Sequence, residues 1–352
     1  MTFLRTRTSS LNRAALRLMS ALLAALLLAT AAAQPGPDQS SVDAEARRAV
    51  LEERFDRAWR LVNERYWRLD RTGVDWQAVG AKYKPQALAA TDDDAFYAVL
   101  ERMYEELGDD HSVYVPPARV AEIAEAYGSL PCVALFAHAL PFTSILRAQA
   151  LPELAGSRQL ANVTFGLTAE GVGYVRVPDL ASDGVAAAVR SAVVELEGEG
   201  AWSFVLDLRH NPGGRLLTMM EVAGIFTSGF LWRTITSWSF PLPYPAIGFT
   251  ATELPLAVLI DGQVHSAAEG LAGALQARGR AVVVGEPSAG NVEALLPFCL
   301  RDGSQAWIAT GVLAPVLGRT WEGQGVLPDV ETDSESAPEQ AVKWLLEQRQ
   351  AE

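Results

Sequence analysis

From Gly171 to Asp329 the chain alternates short apolar runs with amphipathic ones, and no other feature restricts its fold as strongly. Residues 173–177, 202–208, 256–260, 281–285 and 307–310 are brief and rich in apolar side chains, as strands are; residues 184–196, 216–226 and 266–277 carry apolar side chains at helical spacing. Strand–helix alternation of this length predicts an α/β domain with a buried sheet. No internal repeat interrupts it.

The chain ahead of this region reads differently. Val50, Leu51, Phe55, Trp59, Leu61, Val62 and Tyr66 recur at three- and four-residue steps. A second helix is announced by Thr91-Asp92-Asp93-Asp94, whose acids suit a helix start, and is closed by Gly108. Residues 116–165 hold one amphipathic helix near 118–127 and otherwise show no clear period. The organisation expected is a signal segment over 1–33, a flexible leader over 34–43, a helical region over 44–115, an irregular connection over 116–165, the α/β core over 166–332 and a C-terminal helix or tail over 333–352.

Composition narrows the setting. Residues 1–17 contain four arginines and no acid, an apolar run follows to about Ala33, and Ala31, Ala32 and Ala33 precede Gln34 and Pro35. Basic, apolar and small-residue zones in that order predict an export signal, cleaved or kept as an anchor, and thus a periplasmic or extracellular protein. With 29 basic and 42 acidic residues the formal charge is −13, and removal of the four arginines takes it to −17. Such a surface repels phosphate backbones, which argues against a nucleic-acid partner. Cys132 and Cys299 are the only cysteines and could form one disulfide or stay as buried thiols. Four scattered histidines with no Cys/His cluster predict no metal site. Oligomeric state is left open.

Three places could carry chemistry. Arg209-His210-Asn211-Pro212-Gly213-Gly214 joins a strand to a helix, and two glycines there permit backbone N–H groups to point at an oxyanion. Read locally, it is a tight turn. Ser266 opens a helix, where the positive end of the dipole favours an anionic oxygen. Read locally, Ser266-Ala267-Ala268-Glu269 is a capping box. His111, in Leu107-Gly108-Asp109-Asp110-His111-Ser112, stands beside two acids and could serve as a base or be a solvated loop residue.

Taken together these blocks resemble the tail-specific, or C-terminal-processing, serine peptidases of family S41. The likeness rests on residues 206–214, on the run from Ser266 to Pro287, on Gly323-Gln324-Gly325-Val326-Leu327-Pro328-Asp329, and on Asp75-Trp76 with the His111 segment. It implies a crotonase/ClpP-like β-α superhelix with a small N-terminal helical domain, and hydrolysis of peptide or protein substrates through an acyl-enzyme without a cofactor. The branch of the family with a Ser–Lys pair does not fit. Asn291 stands where its lysine would be and Leu295 where its glutamine would be, and the chain has only Lys82, Lys84 and Lys343. The resemblance is closer to the tricorn-core-like branch, which implies Ser266 as nucleophile, His111 as base and Glu322 as the carboxylate that orients it. Backbone N–H groups of Gly213 or Gly214, with that of Ala267, would form the oxyanion hole. The PDZ insert found in many members is not expected, because residues 116–165 are too few. A second reading, a non-catalytic binder of an apolar ligand or peptide on the same scaffold, would draw on Phe230, Leu231, Trp232, Trp238, Phe240, Tyr244 and Phe249 as a pocket lining.

Overall fold

The structure is a computed structural model and describes residues 39–69, 73–109, 111–127, 152–237 and 239–351. The described residues from 53 onward form one compact unit, and residues 39–52, the first half of helix α1 (Gln39–Arg65), belong to another. Along α1 the side chains of Leu51, Phe55, Ala58, Leu61 and Val62 are buried, as the periodicity predicts, but Val50 is exposed.

Helices α2 (Trp76–Leu88) and α3 (Asp93–Glu105) begin as their sequences direct. Asp75 accepts the Ala78 N–H at 3.0 Å and Asp92 the Ala95 N–H at 2.8 Å, satisfying donors that a first turn leaves open. Trp59 and Trp76 each donate an indole N–H to the other's carbonyl, at 2.9 and 3.0 Å. Gly80 is what lets them meet, since a Cβ there would stand 2.5 Å from the Trp59 indole nitrogen. These helices deliver the chain to β1 (Val113–Val115), which starts two residues after His111.

The core is a seven-stranded sheet in the order β12-β9-β8-β5-β4-β3-β2. Strands β4 (Gly173–Arg176), β5 (Phe204–Asp207), β8 (Leu256–Ile260), β9 (Val282–Gly285) and β12 (Val330–Glu331) run parallel, each added on the same side of its predecessor. The connections are α5 (Val185–Gly198), α6 (Leu216–Phe226) and α7 (Ala267–Ala277). Successive strand residues face opposite sides. Phe204, Leu206, Leu256, Val258 and Ile260 therefore join the core that contains α5, α6 and α7. Val205, Ala257 and Leu259 instead pack with Ala337, Ala341 and Leu345 of α8 (Ala337–Ala351). Both faces are covered, which is why these strands read as unbroken apolar runs.

The stretch expected to be irregular carries more structure than its sequence suggested. Residues 117–127 form α4 (Pro117–Tyr127), while β2 (Ala155–Leu160) and β3 (Val163–Leu167) extend the parallel sheet as an antiparallel pair. The side chains of β2 are mostly exposed, so it lacks the apolar alternation that would have revealed it. Cys132 and His138 lie outside the described residues; Cys299 is disulfide-bonded.

A second, antiparallel sheet is organised on the long strand β11 (Gln305–Pro315), which pairs with β1, with β6 (Phe230–Ile235) and with β10 (Glu293–Cys299); β7 (Leu242–Pro245) pairs with β6. The aromatic residues of 230–250 are divided here. Trp232 is fully buried and donates its indole N–H to the Gly270 carbonyl at 2.7 Å, whereas Phe240 is 90 % and Phe249 87 % exposed. They do not gather round one cavity, and Trp238 lies outside the described residues. Among the described residues no helix is long and apolar enough to cross a membrane.

Candidate active site

The site lies at the C-terminal ends of β5 and β8, where open parallel sheets generally hold their ligands. Beyond β5 the chain turns sharply. Asn211 donates its side-chain amide to the Val177 carbonyl at 2.8 Å, and its Oδ1 accepts the Gly213 N–H at 2.8 Å. Gly213 (φ 94°) and Gly214 (φ 148°) occupy backbone conformations that favour glycine. Space excludes any other residue as well, since a Cβ at Gly213 would sit 2.8 Å from the Ser266 Cβ and one at Gly214 2.1 Å from the Leu180 carbonyl carbon. The turn is therefore pressed directly against Ser266. Below it Arg209, buried, pairs with Asp207 at 2.8 Å and also donates to the Ser334 carbonyl, anchoring the end of β5.

Beyond β8, Asp261 accepts the N–H groups of His210 and Gln263, both at 3.0 Å, and joins the two turns. Ser266 follows with φ 55° and ψ −121°, a strained geometry for a residue with a side chain. The predicted capping box is present in both halves. Glu269 Oε2 accepts the Ser266 N–H at 2.9 Å, and the serine side chain faces the Glu269 N–H in return. Glu269 is fully buried and also accepts Ser288 Oγ–H, Gly290 N–H and Asn291 N–H at 2.6–2.9 Å. Burial holds its carboxyl above the usual glutamate value, and those four donors limit the rise.

Asn291, at the position where the Ser–Lys branch has its lysine, acts here through its backbone and accepts the Ser266 N–H at 2.8 Å. Leu295 is buried against Val115, Ile123 and Trp307. Lys82 and Lys84 pair with Glu106 and Asp56, and Lys343 lines a surface groove with Glu335 and Glu339.

His111 is brought in from the other sheet. Asp109 accepts the N–H groups of His111 and Ser112, and Ser112 Oγ accepts the Ala309 N–H at 3.0 Å, which fixes the segment onto β11. The ring is 3 % exposed, and its Nδ1 lies 3.1 Å from Glu293 Oε2 on β10. A carboxylate on Nδ1 makes that nitrogen the donor and leaves Nε2 as the basic one. The carboxylate bonded to the ring is thus Glu293, which the sequence reading missed. Glu322, expected in that role, accepts the Val292 N–H at 3.0 Å and stands 3.6 Å from Arg68. Burial raises its proton affinity and the neighbouring Glu293 raises it further, against the Val292 N–H, Arg68 and His111. A buried acid within Val292-Glu293-Ala294-Leu295-Leu296 was the one available signal for Glu293.

Of the three expected oxyanion donors, Gly213 is turned to Asn211 and its N–H is spent there. Among the described residues no acceptor engages the N–H of Gly214 or of Ala267. No group of three or more His, Cys, Asp or Glu side chains among the described residues is arranged to hold a metal ion.

Residues 171–332 match the sequence model of Peptidase family S41, and residues 48–105 that of the Tricorn protease C1 domain. A carboxyl-terminal-processing protease of Picosynechococcus sp. is 32 % identical over 178 residues, 50 % of this chain and 42 % of the relative. The chloroplastic carboxyl-terminal-processing peptidase 3 of Arabidopsis thaliana is 35 % identical over 163 residues, 45 % of this chain and 31 % of the relative. The matched region thus spans less than half the length of either relative. A solved photosystem II D1 C-terminal processing protease superposes with a TM-score of 0.59 at 21 % identity, covering 81 % of this chain and 93 % of that one, and so shares the fold. The matches thus place a segment similar to Peptidase family S41 over residues 171–332, a little under half of the chain, and one similar to the Tricorn protease C1 domain over residues 48–105.

Proposed function

We propose that the protein is an exported serine-type peptidase that cuts protein or peptide substrates with a Ser–His–carboxylate arrangement. Ser266 Oγ attacks the scissile carbonyl carbon as its proton passes to His111 Nε2. The N–H groups of Gly214 and Ala267 take the oxyanion. His111 returns the proton to the leaving amine, and water then repeats the sequence on the acyl-enzyme. Glu293 holds the ring and stabilises the imidazolium formed at each transfer.

One observation carries this reading. The Ser266 N–H is bonded to the Asn291 carbonyl, and two residues further along the same extended segment Glu293 holds His111. Two residues of extended chain cover about 7 Å, so the nucleophile and the base are both fastened to one short rail. The basic, apolar and small-residue zones of residues 1–33 support export. The apolar-ligand reading loses its support from the divided aromatic residues.

The test is labelling with a fluorophosphonate probe, comparing wild type with Ser266→Ala and His111→Ala. Wild type should label and both variants should not. Equal labelling of all three, or none in folded wild type, would overturn the proposal.

A further inference from the structure

Arg68 lies outside the expected site, three residues beyond the end of α1. The chain there forms a hook over the base. Trp67 donates its backbone N–H to the Ala309 carbonyl at 3.0 Å and its indole N–H to Glu293 Oε1 at 2.9 Å. Arg68 Nη2 stands 3.2 Å from the same Oε1, and Nη1 3.6 Å from Glu322 Oε1. Its Nε–H reaches the Tyr66 hydroxyl at 3.4 Å, and the guanidinium lies 5.3 Å from the centre of a Trp67 ring.

His111 is faced by acids from several elements. Asp109 accepts its N–H from the preceding loop, Glu293 holds its ring from β10, and Glu322 lies close enough for their charges to interact. Tyr66 borders Asp109 and Glu293 and carries no charge, its hydroxyl pushed well above the ordinary tyrosine range by burial. Glu293 against the ring and Glu322 nearby place negative charge round the imidazole, and an imidazolium cannot accept the serine proton. A planar guanidinium can meet two carboxylates at once, which a compact ammonium does less well.

Resting on the Ser266–His111 reading, we propose that Arg68 is a positioning residue: it fixes Glu293 so that Oε2 faces His111, and it offsets the negative charge round the ring so that His111 can serve as a base. The N-terminal region thereby supplies the base together with the cation that keeps the base usable. Trp67 shares the first task by hydrogen bonding to Oε1 but, being neutral, has no part in the second.

The experiment measures fluorophosphonate labelling rates against pH for wild type, Arg68→Gln and Arg68→Lys, with Ser266→Ala and His111→Ala as controls and circular dichroism to show folding. Arg68→Gln should move the half-maximal point of the profile up by roughly one pH unit, hence about tenfold slower labelling below that point. Arg68→Lys should return the midpoint close to wild type without recovering the full rate, since it keeps the charge and loses the fork. A folded Arg68→Gln protein with the wild-type profile would overturn the proposal, as would equal loss of rate in both variants with the midpoint unmoved, which is what a merely structural role gives. Should Arg68→Gln not fold, Arg68→Met takes its place with the same upward shift expected, and a wild-type midpoint in folded Arg68→Met overturns the proposal. Labelling of either control at the wild-type rate would instead bring down the Ser266–His111 reading itself.

Discussion

Ser266 and His111 reach the site by different routes. The serine stands where a parallel strand gives way to a helix, and its surroundings come largely from the ends of β5 and β8 and the start of α7. The histidine sits in an isolated loop and depends on partners remote in sequence, with 182 residues separating it from Glu293. The serine side is built by rules of turns and helix starts, the histidine side by tertiary contact. Two consequences follow. The geometry of Ser266 is secured by backbone strain and buried hydrogen bonds, and that of His111 by a few charged side chains. Perturbing the first should change folding as well as activity. Perturbing the second should change activity with little cost to the fold.

The largest contrast is between the two proposed reacting groups. Ser266→Ala and His111→Ala should each cut peptide hydrolysis by about a thousandfold or more, because members of a catalytic unit fail together rather than additively. Equal residual activity in the single and double variants, followed by single-turnover kinetics, checks this. A strictly additive double variant would break the unit apart.

Next comes the choice between the two carboxylates. Glu293→Gln should lower kcat by about a hundredfold with the fold retained, since Gln keeps the shape but loses the charge that supports the imidazolium. Glu322→Gln should cost about tenfold or less. A reversal of that order in steady-state kinetics would return the orienting role to Glu322.

On the serine side the test is one of stability. Glu269 has its proton affinity raised by burial. A carboxyl that binds its proton more tightly when folded than when unfolded favours folding in acid, and this contribution is lost as pH rises from the ordinary glutamate value through the raised one. Glu269→Gln has no such titration. The stability difference, wild type minus variant, should therefore shrink between acid and neutral buffers when measured by urea unfolding. A difference that instead grows with pH would mean that its four donors outweigh burial.

The smallest effect belongs to the scaffold of the histidine side. Asp92→Ala removes the cap of α3 and should lower unfolding free energy by about 1 kcal/mol, with kcat unchanged. A loss of kcat larger than the loss of stability would tie α3 more closely to His111 than its cap implies.

These two routes also explain what the sequence disclosed. Strands β4, β5, β8 and β9, helices α6 and α7, the cap at Asp92 and the placement of Ser266 all follow from patterns a few residues long, whereas α3 ends at Glu105 with Glu106 as its cap, two residues before the expected Gly108. Glu293 does not, because β10 carries Pro297 and no clean alternation, and because its partners, Trp67, Arg68 and His111, are each about 180 or more residues away. Glu322 was reachable only through the resemblance, which supplies a motif but not the contact a side chain makes. Gly213 illustrates the same limit at short range. Two adjacent glycines announce exposed N–H groups, but only the rotamer of Asn211 decides which of them is already spent.

The backbone of Ser266 has a bearing on how this protein could change over generations. Holding a serine at φ 55° costs about 1–3 kcal/mol relative to a relaxed residue, and glycine would be free of most of that cost. With Ser266 as the proposed nucleophile, a lineage released from catalysis would thus find Ser266→Gly stabilising, a downhill step that removes the reacting hydroxyl and leaves the fold firmer.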